Sequence, residues 1–154
     1  MSNHDYSPDQ IADREAIREL VDDYARLADR RDARGQAALF IADGRVAVYQ
    51  GEPGTAEPVQ VVNGRDELAA AFGGLQTYDK TTHFNGHSKV TLDGDHATGE
   101  SSCLAYHLWT EQGQRTLMIM SIRYHDTFVR QDQRWLFVER QLIIDWVDRR
   151  PSMP

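Results

Sequence analysis

The stretch TTHFNGHSKVTLDGDHATGESSCLAYHLWT, residues 81–110, decides the second half of the fold. Its residues alternate in polarity on both sides of Asp93-Gly94-Asp95, which is the pattern of two antiparallel strands joined by a tight turn. The alternation continues beyond this stretch, with further turn signals at 111–114 and 131–133. We therefore expect a meander of four long strands, at about 82–92, 96–110, 115–131 and 134–147.

The preceding half of the chain predicts helices and short strands. Ser7, Pro8 and Gln10 have the capping-box pattern of a helix start, and apolar residues then recur at helical spacing to about residue 30. The other elements that we expect in this half are a short helix at 32–40, strands at 45–50 and 59–62, and a helix at 65–75.

Helices on one face of a curved antiparallel sheet make an α+β fold. Long strands curl where a bulge or a glycine helps, and Gly86 and Gly99 are the candidate positions. A long helix laid across the concave face cannot fill it, so we expect a mostly apolar pocket between helix and sheet. We expect a single domain over residues 1–154, with flexible tails at 1–7 and 148–154.

Composition and charge narrow the classes of partner. The formal net charge is 17 − 24 = −7, which argues against nucleic acid and anionic membranes as partners and favours a neutral small molecule. Cys103 is the one cysteine, so an intrachain disulfide is excluded and a cytoplasmic location is expected. The first ten residues lack the pattern of a signal peptide, and no stretch is long and apolar enough to span a membrane.

Two histidines on successive strands are the candidate chemical groups. His83 shares one strand face with Asn85 and His87, and His107 lies among small and aromatic residues that indicate an inward direction. Such residues can also be structural histidines that are hydrogen-bonded to the backbone. His83 and His87 would lie about 13 Å apart on a strand, so this pair does not predict a metal site. We expect neither a metal nor an organic cofactor.

An acidic partner for these histidines is not chosen by spacing alone. Asp22, Asp23, Asp29 and Asp32 are all candidates, and most acidic residues of this kind are solvated surface charges. Asp29 adjoins the apolar stripe at the end of the first helix, where a buried carboxylate would need an imidazole or another partner. A paired Asp29 and histidine could act as a general base.

Aromatic and charged residues elsewhere have two interpretations each. Tyr24 is expected to pack in the core with its hydroxyl at the pocket rim. Tyr49 ends a strand and could orient a substrate carbonyl or a water, or it could be an interface aromatic. The strand around 123–130 carries charge on both faces, for which cross-strand pairing is the simplest explanation.

Four segments together resemble SnoaL-like proteins of the NTF2-like superfamily. They are AIRELVDDYARLADRRDARGQAALFIADGRVAVY, TTHFNG, VTLDGDHATGESSCLAYH and FVRQDQRWLFVER, and the similarity extends over about residues 10–147. The resemblance implies a cone-shaped, mixed but mainly antiparallel sheet wrapped around a long N-terminal helix, with a central pocket. It leaves the activity open, because this fold carries cyclases, isomerases, dehydratases, dehydrochlorinases and binding proteins.

Within this superfamily, the site pattern is closest to scytalone dehydratase and γ-hexachlorocyclohexane dehydrochlorinase. Their paired aspartate and histidine correspond to Asp29 and His83, which implies a catalytic dyad. Scytalone dehydratase also has a second histidine and a strand tyrosine, matched by His107 and Tyr49. The chain departs from both enzymes elsewhere: Ala28 replaces a tyrosine, an asparagine aligns near Arg123 or Tyr124, and the dehydrochlorinase lysine corresponds to Tyr24. Tyr24, Arg123 and Tyr124 are expected to bind substrate, together with His107 and Tyr49.

The function implied by the resemblance is that of a cofactor-free lyase or isomerase, acting like a dehydratase on a small, largely apolar cyclic substrate. The alternatives are a SnoaL-like protein that binds an aromatic or polyketide-like ligand without turnover, a polyketide cyclase-type enzyme, and a structural or partner-binding role. We also expect a homo-oligomer, dimer or trimer, because several apolar residues fall on the outer face of the strands: Trp109, Leu117, Ile119 and Ile122.

Overall fold

The computed structural model describes residues 6–153, which form one six-stranded sheet with helices on its inner side. The helices are α1 (Pro8–Asp29), α2 (Ala33–Ala37) and α3 (Arg65–Phe72), followed by a 3-10 turn at Gly73–Thr77. The strands are β1 (Phe40–Tyr49), β2 (Gln60–Asn63), β3 (Lys80–Asp93), β4 (His96–Glu111), β5 (Gln114–Gln131) and β6 (Arg134–Pro151).

Helix α1 begins as its sequence predicts. The Ser7 hydroxyl accepts a hydrogen bond from the Gln10 amide at 3.3 Å, and the Gln10 side chain accepts one from the Ser7 amide at 3.1 Å. This capping box satisfies two amide groups that the first turn leaves without helical partners. The buried stripe of α1 then faces the sheet: Ile17, Leu20, Val21, Tyr24, Ala25 and Ala28.

The sheet has the strand order β2-β1-β6-β5-β4-β3. Strands β3 to β6 form the expected antiparallel meander, whereas β1 pairs parallel to β6 and antiparallel to β2. The register of β3 against β4 shifts between Asn85 and Ser88, so the bulge expected at Gly86 is present. Gly99 keeps a regular register, and a side chain there would lie 3.0 Å from the ring of Phe128. The absence of a side chain at Gly99 therefore allows the Phe128 ring to pack against β4.

Two predicted boundaries were wrong. The helix expected at 32–40 ends at Ala37, and β1 begins at Phe40, because the chain there joins β6 through a bulge before Arg45. The expected tail at 148–151 belongs to β6, whose backbone pairs with β5 up to Pro151 opposite Thr116. Charged side chains interrupt the alternation at this end, but ladder hydrogen bonds do not need apolar residues. Residues 1–5 and 154, parts of the expected tails, lie outside the described residues.

A buried ion pair crosses the inner side of β5 and β6. Arg140 donates to both carboxylate oxygens of Asp126, at 2.8 and 3.0 Å, and both side chains are 1% exposed. The guanidinium carbon lies 3.7 Å from the ring centre of Tyr124 and 4.3 Å from that of Tyr24. The expected cross-strand charge pairing is confirmed here, and the two aromatic faces further compensate the buried cation.

Among the described residues, none of the helices is long and apolar enough to cross a membrane.

Candidate active site

Asp29 and His83 are in direct contact where the end of α1 meets β3. Oδ1 of Asp29 lies 2.7 Å from Nδ1 of His83, and the main-chain amide of His83 donates to Oδ2 at 2.9 Å. The His83 side chain is 8% exposed and that of Asp29 is 27% exposed. An ionised carboxylate can only accept, so Nδ1 carries the proton and Nε2 is the nitrogen that can take one up.

A third hydrogen bond holds the Asp29 carboxylate. The Thr81 hydroxyl donates to Oδ1 at 3.0 Å and accepts from the Arg31 guanidinium at 2.6 Å. The direction of both bonds follows from chemistry, because a guanidinium has no acceptor and a hydroxyl has a single proton. Arg31 itself has a φ of 63°, and its other terminal nitrogen donates to the carbonyl of Tyr78 at 3.2 Å.

These contacts keep Asp29 ionised. Burial alone would raise the pKa of its carboxyl group, but hydrogen bonds from the ring and backbone of His83 and from Thr81 outweigh burial. The net effect lowers the pKa of Asp29 below its usual value of 3.8. Asp29 is therefore a carboxylate at neutral pH, as a group that orients an imidazole and stabilises its cation must be.

His83 lines a cavity of about 230 Å³ between the helices and the inner face of the sheet. Most of its wall is aliphatic or aromatic, and the polar side chains in it are few. A concave apolar space with a small number of polar groups is typical of a small-molecule site. The polar residues in its wall are Tyr24, Gln36, Gln60, His83, His107 and Tyr124.

His107 lies beside His83 in this wall. The two imidazole rings are 5.9 Å apart between centres, and the Tyr78 ring covers His107 at 4.7 Å. Burial, followed by the nearby charge of His83, lowers the pKa of His107 from 6.5 to about 4, while the backbone of Met118 and Ala105 opposes the shift. His107 is therefore neutral at pH 7, and its Nδ1 is buried without a hydrogen-bond partner among the described residues.

Tyr24 and Tyr124 line another part of the cavity wall. Their rings meet edge to face at 6.0 Å, and both contact the Arg140 guanidinium. Burial raises the pKa of Tyr24 to about 12, and burial also raises the pKa of Tyr124 well above 10. Both phenols are consequently neutral hydrogen-bond donors and cannot serve as bases near neutral pH.

Tyr49 and Arg123 do not reach the cavity. On β1, Val46 and Val48 face inward, so Tyr49 faces outward, where it packs with Ala47 and Ile143. On β5, Tyr124 faces inward, so its neighbour Arg123 lies on the outer side and forms ion pairs with Glu52 and Asp145. Neither residue, both expected from the resemblance to bind substrate, therefore lines the cavity that contains His83. Strand alternation, read strictly from Tyr124, already indicates the direction of Arg123.

Some residues of the site were missed by sequence reasoning. Gln36 is buried in the cavity wall, and Thr81 and Arg31 support Asp29. Helix α2 has only five residues, so periodicity gives no signal for the burial of Gln36. The two-residue spacing of Thr81 and His83 does place both on one strand face, but nothing in the sequence shows which carboxylate lies there.

Metal binding has no support from side-chain grouping. Across residues 6–153 there is no cluster of three or more His, Cys, Asp or Glu side chains that could hold a metal ion.

Comparison with known proteins identifies the family. The sequence profile of the SnoaL-like domain matches residues 9–141. A candidate scytalone dehydratase from Novosphingobium aromaticivorans has a similar structure, with a TM-score of 0.78 and 27% identity over 90% of this chain and 87% of that chain. An NTF2-like protein with a cystatin-like fold from the same organism has a TM-score of 0.66 and 30% identity over 87% of this chain and 82% of that chain.

A more distant structure shares the fold. It is a hexachlorocyclohexane dehydrochlorinase, LinA type 2, with a TM-score of 0.76 and 18% identity over 94% of this chain and 92% of that chain. No curated protein gives a significant match. Because the profile spans most of the sequence and the curved sheet and long helix recur in these NTF2-like structures, the chain belongs to the SnoaL-like family.

Proposed function

We propose that the protein is a cofactor-free lyase or isomerase in which Asp29 and His83 carry out proton abstraction. The observation that supports this most is the 2.7 Å contact between Asp29 and His83 in the wall of an apolar cavity. A binding protein without turnover has no need for an ionised carboxylate fixed against an imidazole by three hydrogen bonds. The names of two similar structures, a candidate dehydratase and a dehydrochlorinase, point to elimination chemistry.

The chemical step follows from the tautomer of His83. Nε2 removes a proton from the carbon adjacent to the one that bears the leaving group, the C–H electrons form the new double bond, and the leaving group departs with its own bonding pair. Asp29 stabilises the imidazolium that forms. In a dehydration the proton passes to the departing hydroxide and leaves as water, which regenerates His83. Proton transfer by a positioned side chain typically contributes about 10²–10⁴-fold to the rate.

The other polar groups of the cavity suit a neutral substrate. His107 is neutral and the Tyr24 and Tyr124 phenols are protonated, so each offers a hydrogen bond without a charge. Arg140, the buried cation beside Tyr24 and Tyr124, is compensated by Asp126. A substrate carboxylate or phosphate would therefore find no free cation in the wall, and the cavity fits a small, mostly apolar ring compound.

The test is turnover by matched histidine variants. The wild-type protein, His83→Ala and His87→Ala would be assayed against cyclic β-hydroxy ketones for dehydration and against chlorinated cyclohexanes for loss of HCl. His87 is an exposed residue on the same strand and serves as the control. We expect His83→Ala to lose at least about 10²-fold in kcat while His87→Ala keeps wild-type turnover. Full turnover by His83→Ala on an identified substrate would exclude the proposal.

A further inference from the structure

Gln36 is a buried polar residue of the cavity wall that the proposed reaction does not use. Its residue is 2% exposed, and it shares the wall with Leu68, Ala71 and Phe72 of α3. Its carboxamide makes no hydrogen bond to any residue in 6–153. Only its main chain is bonded, through its amide to the carbonyl of Asp32 at 2.9 Å and its carbonyl to the amide of Leu39 at 3.2 Å.

Helix α2, which carries Gln36, has a capped N-terminus. The Asp32 carboxylate accepts from the Gly35 amide at 2.8 Å and caps the helix, and a side chain at Gly35 would collide with that carboxylate at 2.4 Å. The cap holds α2 at the cavity wall that Gln36 lines. A carboxamide without a protein partner in a mostly apolar cavity wall is open to a ligand group that bonds to it.

We propose that Gln36 binds a hydroxyl or carbonyl oxygen of the ligand, at a subsite separate from the Asp29–His83 dyad. A carboxamide has one acceptor and two N–H donors, so it is complementary to a neutral oxygen group and has no preference for an ion. Carbon-bound chlorine is a poor hydrogen-bond acceptor. If the proposed function holds, the substrate is therefore an oxygenated ring compound, and a fully halogenated or unsubstituted ring is a poor ligand.

The proposed subsite also gives the ligand an orientation. Gln36 comes from α2 and His83 from β3, and both line one cavity. A ring held by its oxygen at Gln36 presents a defined edge to the dyad. Discrimination of this kind is strong, because a ligand that lacks the oxygen leaves the buried amide unpaired.

The test measures binding of hydroxyl and methyl pairs of equal size: phenol with toluene, and 2-naphthol with 2-methylnaphthalene. By titration calorimetry, the wild-type protein should bind at least one hydroxyl compound roughly five- to tenfold more tightly than its methyl partner. In Gln36→Met, which keeps the length but removes both polar groups, this preference should fall to within about twofold. Gln76→Met, an exposed glutamine outside the cavity, should keep the wild-type preference.

A second measurement reports on Gln36 directly. The carboxamide N–H resonances of Gln36, assigned by their loss in Gln36→Met, should shift on addition of the preferred hydroxyl compound. The midpoint of thermal unfolding of ligand-free Gln36→Met should be at least as high as that of the wild type, because no internal hydrogen bond is lost.

Four outcomes would overturn the proposed subsite. They are an unchanged hydroxyl preference in Gln36→Met, immobile Gln36 resonances with the ligand bound, no binding of either hydroxyl compound, and a clear loss of stability in Gln36→Met. None of these measurements needs turnover. A failure of the proposed reaction in the His83→Ala assay is therefore distinguishable from a failure of this subsite.

Discussion

The Thr81 hydroxyl donates a hydrogen bond of 3.0 Å to Oδ1 of Asp29, the same oxygen that contacts Nδ1 of His83. Thr81 can donate there because Arg31 occupies its acceptor side. The dyad is thus supported by a polar chain from a cation to a carboxylate. Arg31 and Thr81 are positioning residues in this arrangement, since their contacts are to Asp29 and the main chain.

We expect Thr81→Val to raise the pKa of Asp29. The substitution removes one of the hydrogen bonds that stabilise the carboxylate and keeps the size of the side chain. Carboxyl-carbon NMR titration of Asp29 would measure the change. Thr82→Val alters the exposed neighbour on the same strand and should leave the pKa of Asp29 unchanged. An identical Asp29 titration in Thr81→Val would show that the hydroxyl is not part of the support.

Asp29→Asn should lower kcat by about 10²-fold or more on a substrate of the proposed reaction. The amide has nearly the shape of the carboxylate but cannot stabilise the imidazolium of His83. Initial rates at saturating substrate would be compared with those of Asp23→Asn, whose carboxylate lies on the same helix and pairs with Arg26 at the surface. Wild-type kcat in Asp29→Asn would remove Asp29 from the mechanism.

The depressed pKa of His107 makes folding stability depend on pH. The pKa of His107 is about 4 in the folded protein against its ordinary value of 6.5, so between these pH values the unfolded chain binds more protons than the native protein. Stability from this group is fully present above pH 6.5 and falls as the pH approaches 4, by a total on the order of 1–3 kcal/mol. Urea unfolding at several pH values should show a smaller decline for His107→Gln. The exposed His87→Gln should decline as the wild type does.

Removing one member of the Arg140–Asp126 pair should be strongly destabilising. Asp126→Asn leaves a buried guanidinium without its counter-charge, which typically costs about 3–5 kcal/mol. Arg45→Met breaks a pair with Glu139 that is 37% and 30% exposed, and such surface pairs contribute about 0–1 kcal/mol. Chemical denaturation of the two variants should separate them clearly. Equal losses would mean that the burial of Arg140 carries no special cost.

Self-association is expected through the outer face of the sheet. Phe84 and Trp146 are 66% and 51% exposed there, in one cross-strand row with Leu104 and Ser121. Sedimentation velocity of Phe84→Ser with Trp146→Ser should show a smaller species than the wild type. Ile11→Ser removes an equally exposed apolar residue from α1 and serves as the control. A wild-type protein that sediments as a monomer would contradict the expectation.

The sequence predicted more of the fold than of the site. Polarity alternation predicted the four meander strands, since it follows directly from which face of a strand is buried. It also explains the inward direction of His107 and Tyr124. Resemblance placed Tyr49 near a ligand by its strand position, but the inward Val48 beside it turns Tyr49 to the outer face.

The remaining features depend on register between distant segments. Asp29, and not one of the other three acidic candidates, pairs with His83 because the end of α1 meets β3. No local pattern carries that information. Ile122 was expected on the outer face, yet it lines the cavity together with Met120 and Tyr124. Here strand alternation from Tyr124 does give the inward direction.

The parallel pairing of β1 with β6 has a consequence for how the site is assembled. Asp29 precedes β1, and His83 belongs to the meander, so each half of the chain carries one member of the dyad. A break in the segment between Tyr49 and Gln60 would give two fragments, neither with a complete site. Recovery of the Asp29–His83 contact on mixing the two fragments would then report that they have docked, because neither fragment holds both residues.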